Sequence, residues 1–289
     1  MDVVVTGAGG FSGSHIVSAL SARGHRVIAV SGRTLGRLDP TLPGVSVVTG
    51  DIAGELPLPR TIDAIVHAAA RSPAPGVTDA DMDHANIGGT TRMISYARTA
   101  GAATFIYLSS LSIYGAIDGP TVDEMTPIRN PDAYGISKYR GEEMLRLEAT
   151  LRSLSIRLPG VIGPGSVRNW LTSVLDAAKK GREIACYNDL YPFNNAIYIN
   201  DLCDLISGTL ERPVWSGHHA VTVGAAGFVT VGHAIETIIE ATHSRSKLLR
   251  KAEPRKSFTI SNDRAMREFG YKPMEIERML RRFVEDNVS

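Results

Sequence analysis

The stretch Asp2-Val3-Val4-Val5-Thr6-Gly7-Ala8-Gly9-Gly10-Phe11-Ser12-Gly13 decides the fold. Its apolar, β-branched run has the length of a buried strand, and Ile16, Val17 and Leu20 just beyond it share one face of a helix. Between the two, Gly7, Gly10 and Gly13 recur at every third residue. Glycines there let the backbone turn tightly and approach a pyrophosphate, while the free amides and dipole of a helix N-terminus favour its negative charge. Loose glycine triplets mean little alone. Set between a strand and a helix, this one reads as a phosphate-binding turn, with Gly7, Gly10, Phe11 and Ser12 as dinucleotide contacts.

Outward from that turn, short apolar runs alternate with helix-like segments: Val27 to Val30, Val45 to Val48, Ile62 to His67, Phe105 to Ser109 and Ser155 to Leu158. Such alternation predicts βαβ units and a Rossmann-type, doubly wound parallel sheet of class α/β. After Pro164 the pattern loosens into helical stretches at Val167 to Lys180, Asp201 to Leu210, Val231 to Ala241, Asp263 to Phe269 and Met274 to Val284, with strand-like runs at Ala196 to Ile199 and His218 to Val223. The expectation is a dinucleotide-binding domain over 1–164, with 194–212 packing back onto it, and a smaller, mostly helical substrate-binding lobe over 165–289.

Composition narrows the function. In 289 residues, 31 basic and 30 acidic side chains leave a formal charge of +1, without the basic excess of a nucleic-acid binder. No apolar run reaches the 18 or more residues of a membrane-spanning helix, and the N-terminus lacks a basic leader, so a cytoplasmic protein is expected. Cys186 and Cys203 have no metal-ligand spacing and read as reduced structural residues, and the His218-His219 pair has no ligand partner at suitable spacing, so no metal is expected.

Cofactor choice is written at the tip of the second strand. In NAD-binding folds an acidic residue about 20 residues beyond the glycine turn binds the adenosine ribose, whereas an arginine accommodates a 2′-phosphate. Here the strand ends Val30-Ser31-Gly32-Arg33, with no carboxylate. Ser31 and Arg33 suit charge-assisted hydrogen bonds to that phosphate, which favours NADP(H) over NAD(H).

Chemistry is concentrated in Ser109-Ser110, Ser112-Ile113-Tyr114-Gly115 and Tyr134-Gly135-Ile136-Ser137-Lys138. Tyr134 and Lys138 are four apart, on one helical face, where an ammonium would favour the phenolate and lower the tyrosine pKa from about 10. A tyrosine so placed exchanges protons with a hydroxyl or carbonyl. Ser110, at the C-terminal end of a strand, could donate a hydrogen bond to the same oxygen. His67 ends a buried strand and reads as structural.

Taken together, the chain resembles the extended short-chain dehydrogenase/reductase superfamily, in particular its nucleotide-sugar epimerase/dehydratase branch. The resemblance runs almost end to end, on Thr6 to Gly13, Gly50-Asp51-Ile52, Asp63 to Ala70, Asn86 to Thr90, Ser109 to Gly115, Tyr134 to Lys138 and Arg157 to Gly165. It implies Asp51 and Ile52 at the adenine, Ala68, Ala69 and Ala70 along the cofactor, and Pro159 at the nicotinamide. Tyr134 becomes the general acid/base, Lys138 its tuner and a ribose ligand, and Ser110 the group polarising the carbonyl, with Ser109 as competitor. It also implies a homodimer through helices of Asp79 to Ala100 and Pro131 to Leu147.

Two departures matter. Dehydratases of this branch carry an Asp-Glu pair where this chain has Leu111 and Ser112, which disfavours dehydration. An arginine often stands seven residues before the aspartate of the later strand-helix junction; counting back from Asp201 gives Asn194. Ser112, Arg168, Asn169, Asn194 and Arg255 are the candidate substrate contacts, with Arg168, Arg255 or Lys256 able to supply the missing charge. The leading expectation is an NADPH-dependent reductase of a 4-keto, 6-deoxy nucleotide sugar in surface polysaccharide synthesis. The alternatives are a nucleotide-sugar 4-epimerase holding NAD, a reductase of a non-sugar carbonyl, and a non-catalytic cofactor-sensing module.

Overall fold

The computed structural model describes residues 1–213, 215–251 and 257–288. The valine run forms β1 (Asp2–Thr6), and the glycine turn leads into α1 (Phe11–Ala22). There follow β2 (Arg26–Ser31), β3 (Val45–Thr49), β4 (Ala64–His67), α2 (Asp79–Met82), α3 (Gly89–Thr99), β5 (Thr104–Ser110), β6 (Thr121–Val122), α4 (Ala133–Leu147), β7 (Arg152–Leu158) and β8 (Gly160–Ile162). The later elements are α5 (Trp170–Lys179), β9 (Ile184–Cys186), β10 (Pro192–Phe193), β11 (Ala196–Tyr198), α6 (Ile199–Glu211), β12 (His218–Thr222), β13 (Val229–Thr230) and α7 (Val231–Ala241). The chain ends with β14 (Leu248–Arg250), β15 (Thr259–Ile260), α8 (Asp263–Phe269) and α9 (Ile276–Val288).

Seven strands form one sheet in the order β12-β7-β5-β4-β1-β2-β3, and the pairs β3/β2, β2/β1, β1/β4 and β4/β5 are parallel. This is the Rossmann-type α/β fold that the alternation predicts. Parallel strands bury both faces, which is why they read as unbroken apolar runs. One face packs Val4, Ile28, Ile65 and Phe105 against Met93, Ala97 and Leu145 of α3 and α4. Ile16, Val17 and Leu20 of α1 are fully buried. Each such side chain contributes roughly 1.5–3 kcal/mol of burial free energy.

Strand order reverses at β1, so its C-terminal end and that of β4 flank the switch point where open α/β sheets bind ligands. The helical stretch after Thr78, whose side chain and that of Asp81 form a capping box, is interrupted by a π-helical turn at Asp83–Gly88. That turn carries Asn86, which donates to Ser137 Oγ at 2.9 Å and holds the Arg71 backbone at both its amide and its carbonyl.

The chain divides into two compact units that interleave in sequence: Met1–Ala116, Pro127–Arg157 and Cys203–Val221 in the first, Ile117–Thr126, Leu158–Leu202 and Thr222–Ser289 in the second. The second unit combines helices with paired short strands, β8/β11, β9/β14, β10/β13 and β6/β15. Among the described residues no helix is long and apolar enough to cross a membrane. Cys186 and Cys203 are buried and free.

Candidate active site

The cofactor cradle is built by close backbone approach. Gly7 adopts φ +67°, and a Cβ there would lie 2.7 Å from Ala69 N; a Cβ on Gly13 would lie 2.1 Å from the Gly7 carbonyl oxygen. The turn is thereby locked against α1 on one side and Ala68-Ala69 on the other. Thr6 Oγ1 accepts from Ala69 N at 3.1 Å and pairs with His67 Nδ1 at 2.7 Å, while His67 Nε2 lies 3.0 Å from Thr90 Oγ1. Burial, with the nearby Lys138 charge, pulls His67 down to about 3, so it is a neutral strut between two threonines.

At the start of α1, Gly10 supplies no side-chain cap and the first turn holds no acidic residue. Its amides are left for an anion, and the cradle fits a dinucleotide pyrophosphate. Gly13→Val forces a side chain into the Gly7 carbonyl; dinucleotide affinity is expected to fall by at least about tenfold, read by calorimetric titration, and unchanged affinity refutes the cradle.

The β2 tip divides its two predicted contacts. Ser31 is buried, donates from Oγ to the Thr34 carbonyl at 2.6 Å, and lies where a Cβ on Gly9 would meet it at 2.4 Å. Its hydroxyl is thus turned to the loop, and Arg33 beside it is exposed. Asp51, after β3, is exposed and accepts from His84 Nε2 at 2.8 Å and Ala53 N at 3.0 Å. The His84 hydrogen bond is the main reason its carboxyl lies below the ordinary value. Nothing in the sequence spacing pointed to His84. Ile52 packs against the backbone at Gly89, and Ala68 to Ala70 grade from half-buried to exposed at the mouth of β4.

Asp132 caps α4, its carboxylate accepting from Gly135 N at 2.7 Å, so Tyr134 stands in the first turn and Lys138 one turn on. Ser110 ends β5 and caps the 3-10 turn Leu111–Tyr114, accepting from Ser112 N and donating to Ser112 Oγ, both at 3.1 Å. Ser72, a residue absent from the predicted set, and Ser110 lie near enough to the Tyr134 hydroxyl to favour its ionised form. Ser109 faces elsewhere: it donates to buried Glu142 at 2.5 Å, which removes it as Ser110's competitor.

The electrostatics run opposite to expectation. Tyr134 is raised above its ordinary value, first by burial and then by Asp132, with the Ser72 and Ser110 hydrogen bonds opposing. Lys138, 1% exposed, is itself pulled down to about 7 by burial, with its ammonium 4.0 Å over the Tyr107 ring. Desolvation outweighs the i,i+4 charge effect read from spacing. Tyr134 is thus protonated at neutral pH, the form from which a general acid acts.

Among second-unit residues, Pro159 lies between β7 and β8. Asn194 is buried and its amide is spent on the unit itself, accepting from Ile260 N at 2.8 Å and donating to the carbonyls of Ile260 at 2.9 Å and Ala225 at 3.3 Å. It is a crosslink, which corrects its assignment as a substrate contact. Asn169 caps α5 through Thr172 N at 2.9 Å, and Arg168 is exposed with φ +66°. Arg255 and Lys256 lie outside the described residues.

A glycine cradle at the switch point of a parallel sheet, with a serine, a tyrosine and a buried lysine grouped on β5 and α4, defines an oxidoreductase-type enzyme of the dinucleotide-binding class. The chain belongs to the NAD dependent epimerase/dehydratase family, whose profile matches residues 3–224. It is 29% identical over 171 residues to UDP-glucose 4-epimerase of Azospirillum brasilense, a match spanning 56% of this chain and 49% of that protein. It is 27% identical over 224 residues to UDP-glucose 4-epimerase of Vibrio cholerae, spanning 73% of this chain and 67% of that one. In fold it matches the solved structure of MoeE5 in complex with UDP-glucose and NAD, with TM-score 0.81, 24% identity, and 99% and 98% of the two chains covered. The match thus spans about half the length of the Azospirillum protein.

Proposed function

We propose that this enzyme reduces the 4-keto group of a nucleotide sugar, a 4-keto, 6-deoxy hexose of surface polysaccharide synthesis, with NADPH. The observation that carries it is the grouping of Ser110, at the end of β5, with Tyr134 and the buried Lys138 in the first turns of α4, because a ketone accepting hydride must be protonated on oxygen. A bound nicotinamide would supply the hydride. Ser110 donates to the carbonyl oxygen and stabilises charge as it develops, and Tyr134 delivers the proton. Leu111 and Ser112 provide no extra acid and base for eliminating water, which disfavours dehydration. The proposal assigns substrate binding to the lobe at 165–289, with Arg168 and Asn169 as contacts, and to Ser112 in the turn after β5. It includes a homodimer through Asp79 to Ala100 and Pro131 to Leu147, where Leu147 is 81% exposed.

Arg33, on a strand tip without a carboxylate, supports NADPH as donor. Fluorescence titration is expected to show NADPH binding about tenfold or more tighter than NADH, with the preference lost in Arg33→Ala. Equal affinities in the wild type make Arg33 incidental. A second assignment, C4 epimerisation with retained NAD, is supported by the relatives named UDP-glucose 4-epimerase. Purification with NAD that the protein will not release would favour it.

A further inference from the structure

Behind Lys138 lies a buried ionic cluster that the proposed chemistry leaves unused. Glu142 follows Lys138 by one turn of α4 and is 4% exposed. Arg157, from β7, donates to it from Nε at 3.1 and 3.2 Å and from a terminal nitrogen at 2.8 Å. The other terminal nitrogen donates to Tyr114 Oη at 2.8 Å, and Ser109 completes the set from β5. A carboxylate so enclosed costs several kcal/mol of desolvation, and swapping a buried ion pair for apolar residues is often neutral or stabilising. Stability alone therefore does not explain it.

Its position does. Gly141 lets α4 lie against β5, since a Cβ there would meet Tyr107 Oη at 2.3 Å, and this brings the Lys138 ammonium over the Tyr107 ring. The charged and titratable groups around Lys138 and the pair include Tyr134 and Glu142 on α4, Tyr107 on β5, His67 on β4, stacked on Tyr107 with centroids 5.7 Å apart, Arg157 on β7, and His218 on β12, which burial pulls down to about 4. His67 is neutral, the tyrosines are protonated, and Arg157 is a cation, so the Glu142 carboxylate is the negative charge in the set.

We propose that the Glu142–Arg157 pair is a positioning device for Lys138: the carboxylate holds the lysine in its ammonium form inside an apolar pocket, and Arg157 limits how strongly it does so. The inference rests on Lys138 serving Tyr134, the role that the family resemblance implies for it. Burial leaves Lys138 titrating at about 7, with Glu142 the charge that raises it. The carboxylate stands one turn further along the same buried face of α4, so its charge acts on the ammonium through protein rather than through water.

The test uses protein carrying ¹³C at the lysine ε position, with the Lys138 resonance assigned by its loss in Lys138→Met. Glu142→Gln, which removes the charge and keeps one acceptor oxygen for Ser109 and Arg157 Nε, is expected to lower the Lys138 titration midpoint by about one pH unit or more. Arg157→Gln, which frees the carboxylate from its cation, is expected to raise it by about half a unit or more. The two variants move in opposite directions, so either one carries the test should the other fold poorly. A purely structural pair lowers the melting temperature of both and leaves the midpoint in place, and that result overturns the proposal. The readout needs no substrate: wild-type protein that fails to reduce a 4-keto sugar while the midpoint shifts refutes the function and spares the pair.

Discussion

Tyr134→Phe is expected to lower turnover by roughly 10²–10⁴-fold, the range of a single positioned acid, while leaving dinucleotide affinity within about twofold. Phenylalanine keeps the ring that fills the start of α4 and removes only the hydroxyl beside Ser72 and Ser110. The loss should therefore fall on kcat. Steady-state kinetics beside a cofactor titration separate the cases, and a variant with wild-type turnover removes Tyr134 from the mechanism.

The largest effect on stability is expected from Glu142→Ala. Arg157 would remain buried with its guanidinium stripped of the carboxylate that takes three of its hydrogen bonds, and Ser109 would lose its acceptor. Removing one partner of a buried pair costs about 3–5 kcal/mol, a large share of the roughly 5–15 kcal/mol that holds a domain folded. Denaturant unfolding monitored by circular dichroism would show it. A loss below about 1 kcal/mol would mean that water reaches the cluster.

How much was legible follows from where each signal resides. The sheet, the glycine turn and the Tyr134/Lys138 pair are written in local periodicity, and even α7 and α8 keep their expected limits, Val231–Ala241 and Asp263–Phe269. Pairwise spacing could not foresee desolvation. It placed Lys138 beside Tyr134, yet gave the wrong direction for the tyrosine because burial depends on β5 lying under α4. Glu142 was within reach, since Tyr134, Lys138 and Glu142 step by fours along one helical face. Its partner Arg157 sits on β7, 15 residues further along the chain, beyond the reach of helix spacing. Ser72, His84 and the crosslinking role of Asn194 arise from contacts between residues far apart in sequence, and no local pattern announces them.

One measurement tests the proposed reduction most directly: incubating the enzyme with a nucleoside-diphosphate 4-keto-6-deoxy hexose and NADPH dideuterated at nicotinamide C4, then reading the product by proton NMR. Reduction as proposed places one deuterium on sugar C4 in the wild type and leaves the ketone unreduced in Tyr134→Phe. Unreduced ketone with the wild type, or label appearing equally in the variant, would contradict it.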